Sequence, residues 1–194
     1  MLEIIFRNST EGNINTGSID GGCYIEKDLW PKQNNTYLFC LLSMPAKWLI
    51  EINNEKIISI FIPYDKEDFS HYSQMSSYEP NHEDSFVILH EQTNKIESLN
   101  LDQSNKAGQV LIKKPSEGSS PNLLSYIGGE PKWVQDEIKV PDYHWSLSIY
   151  GPDIDEALVD NAGILSGGTL HVFLKDKIDF DSNGTIIGKT FFEL

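Results

Sequence analysis

Four carboxylates close together in the second half of the chain are the first candidates for chemistry. They are Asp153, Asp155, Glu156 and Asp160. Pairs of carboxylates act as acid and base in glycoside hydrolysis, and clusters of them bind divalent cations. Glycoside hydrolysis needs a defined distance between two carboxyl groups, which a sequence does not supply. We therefore interpret residues 153–160 as an acidic loop, with a small hydrolase or metal-dependent enzyme as the alternative.

A second candidate is residues 179–184 (DFDSNG), which match the first six positions of a calcium-binding loop. The match ends at the twelfth position, where Thr190 stands in place of the bidentate glutamate. Asn183 followed by Gly184 is also a strong signal for a two-residue hairpin. We predict the hairpin, and calcium binding at 179–184 stays open.

The histidines and serines lack the spacing of a known site. No histidine pair has metal-ligand spacing among His71, His82, His90, His144 and His171. His171 alternates with Leu170 and Val172, which predicts a hydrogen-bonded or exposed strand histidine. Ser166 lacks the glycine two positions earlier that a nucleophile elbow requires.

The two cysteines, Cys23 and Cys40, have no partner at zinc-site spacing. Cys40 lies within the apolar run 37–42, where a thiol behaves as a small hydrophobic side chain, so we predict a core position for it. Taken together, the reactive residues predict no catalytic residue, no metal ligand and no cofactor.

The charge distribution excludes one class of partner and favours another. The chain has a net charge of −14 and a single arginine, Arg7. Because nucleic-acid binding depends on clustered Lys and Arg, nucleic acid is not a predicted partner. No Lys or Arg occurs between Lys139 and Lys175, where the four carboxylates fall. This gap predicts a docking surface for a basic protein, with a merely solvated acidic surface as the alternative.

Short β-rich segments separated by Gly, Pro and Asn-Gly must position these residues. The predicted strands are 2–6, 37–43, 57–63, 85–90, 109–113, 145–150, 169–174 and 185–192. Residues 44–52 predict a helical turn, with Trp48 and Leu49 facing inward. The polar segments 64–84 and 91–107 are predicted loops. The pattern indicates an α+β fold that is mainly antiparallel β.

The two halves of the chain share a pattern. Gly21-Gly22 and Gly128-Gly129 each precede a tryptophan and an apolar strand that ends in proline, and the offset from Gly22 to Gly129 (129 − 22 = 107) recurs from Pro45 to Pro152. We predict one domain, 1–194, in which two related β-rich halves, 1–95 and 96–194, form an internal pseudo-repeat around one core. No apolar run is long enough for a bilayer span and the start does not read as a signal peptide, so we expect a cytoplasmic protein with no membrane partner.

The segment 127–135 (IGGEPKWVQ), an apolar strand, the acidic residues 153–155 and the strand 170–174 together resemble the YwqG-like family of bacterial proteins of unknown function. The resemblance implies an α+β fold with extended sheets and no established catalytic residues. It also implies, by analogy with small acidic proteins encoded beside bacterial toxins, an immunity role.

The leading hypothesis is therefore a non-enzymatic immunity protein that binds and neutralises a basic cognate toxin. The predicted contact residues are the four carboxylates with Tyr150 and Trp133, because aromatic residues dominate interface hot spots. A housekeeping binding module with no toxin partner is a further alternative.

Overall fold

The computed structural model describes residues 1–8, 16–52, 55–68, 70–75, 85–115, 124–158 and 160–194. Twelve strands lie within these residues. They are β1 (Leu2–Arg7), β2 (Gly17–Ile19), β3 (Lys32–Gln33), β4 (Thr36–Tyr37), β5 (Phe39–Pro45), β6 (Ile57–Ile62), β7 (Phe86–His90), β8 (Gly108–Lys113), β9 (Tyr126–Ile127), β10 (Tyr143–Tyr150), β11 (Thr169–Lys175) and β12 (Thr185–Glu193).

Ten of these strands form one closed barrel, in the order β1-β8-β2-β5-β6-β7-β12-β11-β10-β9, and β9 pairs with β1 to complete the circle. All the described pairings in the barrel are antiparallel. β3 and β4 make a separate two-stranded sheet. β8 lies between β1 and β2, so each of these two amino-terminal strands pairs with a strand from later in the sequence.

The barrel interior holds the largest hydrophobic cluster, and the strands supply it in the period of two that their pleat dictates. Leu147 and Ile149 of β10 and Leu170 and Val172 of β11 belong to this cluster. The residues between them, such as Ser148, lie on the outer face. Closure of the sheet satisfies the backbone groups that an open edge would leave unpaired.

Two chain segments cover the outside of the barrel and form a smaller apolar cluster each. Trp30 and Leu38 pack on Cys40 and Phe61 outside β5 and β6. Val140, with Trp133 beside it, packs on Phe173 outside β11. We call these segments, residues 20–38 and 128–142, the first and second cover segments.

All eight predicted strands are present, and the mainly antiparallel β prediction is confirmed. The described helices are short: α1 (His71–Met75), α2 (Gly151–Asp155) and 3-10 turns at Lys27–Leu29 and Ala46–Trp48. The predicted turn at 44–52 shortens to the second of these, because β5 continues through Pro45. Trp48 and Leu49 pack against the main core, as predicted.

Both predicted loops contain buried side chains, and the loop prediction is wrong at 71–75, where a short helix forms. Within 64–84, α1 buries His71 and Met75, and the Tyr72 ring stacks on Phe192 at 5.5 Å between centroids. Within 91–107, Gln103 is buried and Glu97 forms a β-bridge with Cys23. Residue 69 and residues 76–84, His82 among them, lie outside the described residues.

Candidate functional site

The predicted acidic residues begin in α2, which follows β10 directly and has Pro152 in its first turn. Asp153 accepts a hydrogen bond from the Ser125 hydroxyl at 2.7 Å. Asp155 accepts one from the Gly163 backbone N–H at 2.8 Å. Two different connecting segments therefore hold these two carboxylates in place.

Asp160 and Glu156 differ in how they are held. The Asp160 carboxylate accepts a hydrogen bond from the Ser104 hydroxyl at 2.7 Å, and its carbonyl accepts one from Lys66 Nζ at 2.9 Å. Glu156 is exposed and lines a groove of about 370 Å³ together with Asp153. Within the part of the chain that is described, no three His, Cys, Asp or Glu residues converge as a metal site.

A buried carboxylate that the sequence patterns did not single out anchors this acidic region. Asp20 accepts hydrogen bonds from Gln103 Nε2 at 2.7 Å, from the Ser104 N–H at 2.9 Å and from Asn161 Nδ2 at 2.8 Å. Because a buried carboxylate is tolerated only when donors surround it, these contacts fasten the segment after α2 to the first cover segment.

An exposed leucine lies beside the acidic region. Leu101 is 100% exposed, and the neighbouring Asp102 accepts a hydrogen bond through its carbonyl from Asn161 Nδ2 at 2.9 Å. Asp102 also accepts one from the Lys66 N–H at 3.1 Å. These hydrogen bonds fix Asp102, and with it the backbone next to the exposed leucine.

A second candidate site lies on the outer face of β10, β11 and β12. Ser148 and His171 are directly opposite each other in the β10–β11 register, and Ser148 Oγ is 2.8 Å from His171 Nδ1. His171 Nε2 is 2.8 Å from Glu193 Oε2. All three side chains are buried. We call them the Ser–His–Glu chain.

The hydrogen bonds around Glu193 assign the protons in this chain. Its carboxylate also accepts the backbone N–H groups of Val134 and Gln135, at 3.1 and 3.2 Å. With both of its oxygens accepting N–H groups, the Glu193 carboxylate is the acceptor toward His171, so His171 donates from Nε2 and accepts the Ser148 proton at Nδ1. Burial lowers the pKa of His171, and the hydrogen bond and charge of Glu193 oppose that shift.

A cavity of about 380 Å³ opens beside the Ser–His–Glu chain, and both Ser148 and Glu193 line it. Its other lining residues include Leu124, Tyr126, Trp133, Val134, Tyr150 and Gly168. The Trp133 ring packs on the His171 ring at 4.6 Å between centroids. Trp133 and Tyr150, predicted as contact residues, are therefore brought together here, whereas Asp153 and Glu156 line the adjacent groove and Leu124 borders both.

The first half of the barrel carries a comparable chain of polar side chains. Ser43 Oγ is 2.7 Å from Ser59 Oγ, which is 2.8 Å from His90 Nε2. His90 Nδ1 donates to the Glu91 carbonyl at 2.8 Å. Burial lowers the pKa of His90 from 6.5 to about 4. We call this set the Ser–Ser–His chain.

The calcium-like segment forms a turn that a lysine closes. Lys56 Nζ donates to the carbonyls of Phe180 and Ser182 at 2.7 and 3.0 Å. Asp179 accepts the Ser182 hydroxyl at 2.6 Å. The predicted two-residue hairpin is wrong. β11 and β12 do pair, but their register ends at Leu174 opposite Gly188, and residues 176–184 connect the two strands.

The remaining predicted residues have structural surroundings. Cys40 is buried in the cluster under the first cover segment, as predicted, and Cys23 lies in the same cluster. Burial is the main cause that raises the pKa of Cys23. His144 lies 2.9 Å from Asp176 on the exposed surface. His171 is the hydrogen-bonded strand histidine that its alternation predicted.

The sequence patterns missed Ser148 and Glu193. Their period-two positions place them on the outer face, but only the strand register and the second cover segment show that they meet His171. Among the described residues, no helix has both the length and the apolar character to cross a membrane. Comparison with known proteins finds no matching family model, no matching curated protein and no matching solved structure.

Proposed function

We propose that the chain is a cytoplasmic immunity protein that binds a basic cognate toxin of bacterial origin and neutralises it by occupancy, without chemistry on the toxin. The observation that carries this proposal is the acidic region after β10. Hydrogen bonds hold its carboxylates in place. Asp153, Asp155 and Asp160 each accept a hydrogen bond from a different segment.

This arrangement supports docking because the negative charges need little ordering when a partner arrives. Immobilising flexible side chains costs about 0.5–1.5 kcal/mol each in an interface, and pre-organised groups avoid much of that cost. The net charge of −14 supports fast encounter with a cationic protein. The sequence has no Lys or Arg between Lys139 and Lys175, although Lys66 Nζ from another segment contacts the Asp160 carbonyl.

Apolar residues beside the carboxylates support the same role. Leu101 is fully exposed and precedes Asp102, and Leu124 is 45% exposed and borders the groove that Asp153 and Glu156 line. Desolvated apolar anchors within a polar rim account for most of the affinity in protein interfaces. We assign the contact surface to Leu101, Leu124 and the carboxylates around them, with Trp133 and Tyr150 at its margin.

We also propose that the chain belongs to the YwqG-like family, has an α+β fold and contains an internal pseudo-repeat. Matching backbone geometry supports the repeat: φ is +69° and +86° at Gly21 and Gly22, and +68° and +90° at Gly128 and Gly129. The strand order supports it as well. Exchanging β2, β5, β6 and β7 with β9, β10, β11 and β12, and β1 with β8, reproduces the barrel order in reverse.

The experiment is to purify this chain and the toxin-like product of an adjacent gene and to measure binding by calorimetry. We expect binding that weakens as ionic strength rises. Glu156→Lys should lower the affinity about tenfold or more, which corresponds to about 1.4 kcal/mol. The matched control is Glu51→Lys, an exposed charge reversal outside this surface, which should leave the affinity unchanged.

Two outcomes would contradict the proposal. Binding that Glu156→Lys and Leu101→Ser leave intact would move the interface elsewhere. No binding to any toxin-like neighbour would favour a housekeeping binding module. The other alternative, a hydrolase built on residues 153–160, is less well supported, because three of its carboxylates are engaged by three different segments.

A further inference from the structure

We propose that Ser148 is the nucleophile of an acyl-transfer site that accepts small uncharged esters in the adjacent cavity of about 380 Å³. The site adjoins the proposed toxin surface, because Leu124, Trp133 and Tyr150 line this cavity, but Ser148, His171 and Glu193 are not part of that surface. Two separate observations carry the inference: the order of groups in the Ser–His–Glu chain and the position of Ser148 in the lining of the cavity.

The order of groups is that of an activated serine. A nucleophile needs a base within about 2.6–3.2 Å, and the base needs a third group that orients it. Ser148 Oγ and His171 Nδ1 are 2.8 Å apart, and Glu193 is 2.8 Å from the other imidazole nitrogen. The side chains come from three adjacent strands of a closed sheet, so the backbone holds their separation fixed.

Glu193 fixes the direction in which the serine proton moves. The N–H groups of Val134 and Gln135 bind its carboxylate and keep it in place. His171 therefore keeps its proton on Nε2 and presents Nδ1 to Ser148. The charge of Glu193 then stabilises the imidazolium that forms when His171 accepts the serine proton. Trp145 Nε1 donates to Ser148 Oγ at 3.2 Å and so helps to orient that oxygen.

The cavity defines the substrate class. Its walls are largely apolar, from Leu124, Tyr126, Trp133, Val134 and Tyr150. Its volume is near the lower end of the roughly 300–1,000 Å³ that ligand pockets span, which fits a short acyl chain with a small alcohol. The paired Glu193 carboxylate and the acidic surface disfavour an anionic ester.

The reaction is a balanced transfer in two steps. Ser148 Oγ bonds to the ester carbonyl carbon and its proton moves to His171 Nδ1. The carbon–oxygen bond to the alcohol breaks, and the alcohol leaves with that proton. A water molecule then gives a proton to His171 and its oxygen to the acyl carbon. The bond between the acyl carbon and Ser148 Oγ breaks, the carboxylic acid leaves, and the proton on His171 Nδ1 returns to Ser148 Oγ.

The test is covalent labelling by a small uncharged fluorophosphonate, with the modified residue located by peptide mass spectrometry. We expect the unchanged chain to be labelled at Ser148, and p-nitrophenyl acetate to be hydrolysed above the buffer rate. Ser148→Ala should lose both. The matched controls, Ser43→Ala in the Ser–Ser–His chain and Ser146→Ala in the same strand, should keep both.

Two results would overturn the proposal: absence of label on Ser148 in the unchanged chain, or label and hydrolysis that persist in Ser148→Ala. Glu193→Gln tests the positioning role. It should slow labelling about a hundredfold, within the usual range of acid–base contributions, while melting near the unchanged chain's temperature. If Glu193→Gln unfolds, the labelling of Ser148 in the unchanged chain still decides the proposal.

Discussion

The two polar chains on the outer face of the barrel occupy matching places and end in different groups. Ser43 is opposite Ser59, as Ser148 is opposite His171. The third member of each chain lies on the next strand. His90 is paired with Ile57, two residues before Ser59, and Glu193 is paired with Thr169, two residues before His171. One framework thus holds Ser–Ser–His in the first half and Ser–His–Glu in the second.

The difference teaches which part of such a chain is structural. In the first half the imidazole closes the chain against the Glu91 carbonyl, and every group is neutral. In the second half the imidazole is central and a carboxylate lies behind it, which is the order that acid–base chemistry requires. The cover segments differ as well. Trp30 in the first is 3% exposed, whereas Trp133 in the second is half-buried beside a cavity.

The largest effect should come from the covering tryptophans. Trp30 donates Nε1 to the Leu38 carbonyl at 2.8 Å and packs edge-on against Phe61 at 5.2 Å between centroids. Trp30→Ala should lower the free energy of unfolding by about 3–5 kcal/mol, the usual cost for a buried aromatic. Trp133→Ala should cost about 1–2 kcal/mol, because part of its ring already contacts solvent. Urea denaturation measures both, and equal losses would contradict this distinction.

The glycine pairs should differ next. A Cβ on Gly22 would be 2.2 Å from the Glu97 carbonyl oxygen, whereas at Gly129 the nearest atom would be Met1 Cβ at 3.6 Å. Both residues have positive φ, which costs a non-glycine residue about 1–2 kcal/mol. Gly129→Ala should therefore lose about 1 kcal/mol of stability, and Gly22→Ala about 3 kcal/mol or more. Thermal unfolding measures both variants. A smaller loss of stability for Gly22→Ala would mean that the 91–107 segment shifts to accommodate the added Cβ.

The neutral imidazole of the first chain should make stability depend on pH. Because the pKa of His90 is about 4 in the folded protein and 6.5 when unperturbed, only the unfolded chain binds a proton between these values. The free energy of unfolding therefore falls as the pH falls through this window. From pH 7.5 to pH 5, the unchanged chain should lose about 2 kcal/mol more than His90→Gln, at about 1.4 kcal/mol per pKa unit. His171 is present in both proteins, so its own shift cancels, and parallel pH profiles would refute the assignment.

The smallest effect should come from the first serine of each chain. Ser43→Ala and Ser148→Ala each remove one buried hydroxyl, which should cost about 1 kcal/mol in either half. Chemical denaturation of the two variants side by side measures this. A loss above about 3 kcal/mol for Ser148→Ala alone would indicate that the second chain chiefly supports the fold.

The strands were predictable because each is a local run of apolar and β-branched residues that leaves a mark in the sequence. β2 and β9 were missed, since three and two residues are too short to show an alternation. The burial of Gln103 was not predictable, because it depends on a contact with distant Asp20, which composition does not reveal.

The candidate sites divide in the same way. The carboxylates of residues 153–160 were visible as a charge pattern, although their hydrogen-bond partners were not. The Ser–His–Glu chain depends on the register of three strands and on the second cover segment above them. Glu193 was hidden at the end of the apolar run of β12, where a carboxylate has no local partner.

The circle of strands is closed by its shortest member. β9 has two residues, which join β1 through Leu2 and Glu3 and join β10 through Leu147 and Ser148. A strand this short is the easiest place for the barrel to open locally, because few backbone hydrogen bonds must break together there. Tyr126 belongs both to this seam and to the cavity lining. Local opening of this seam would therefore displace Tyr126 from the cavity lining beside Ser148.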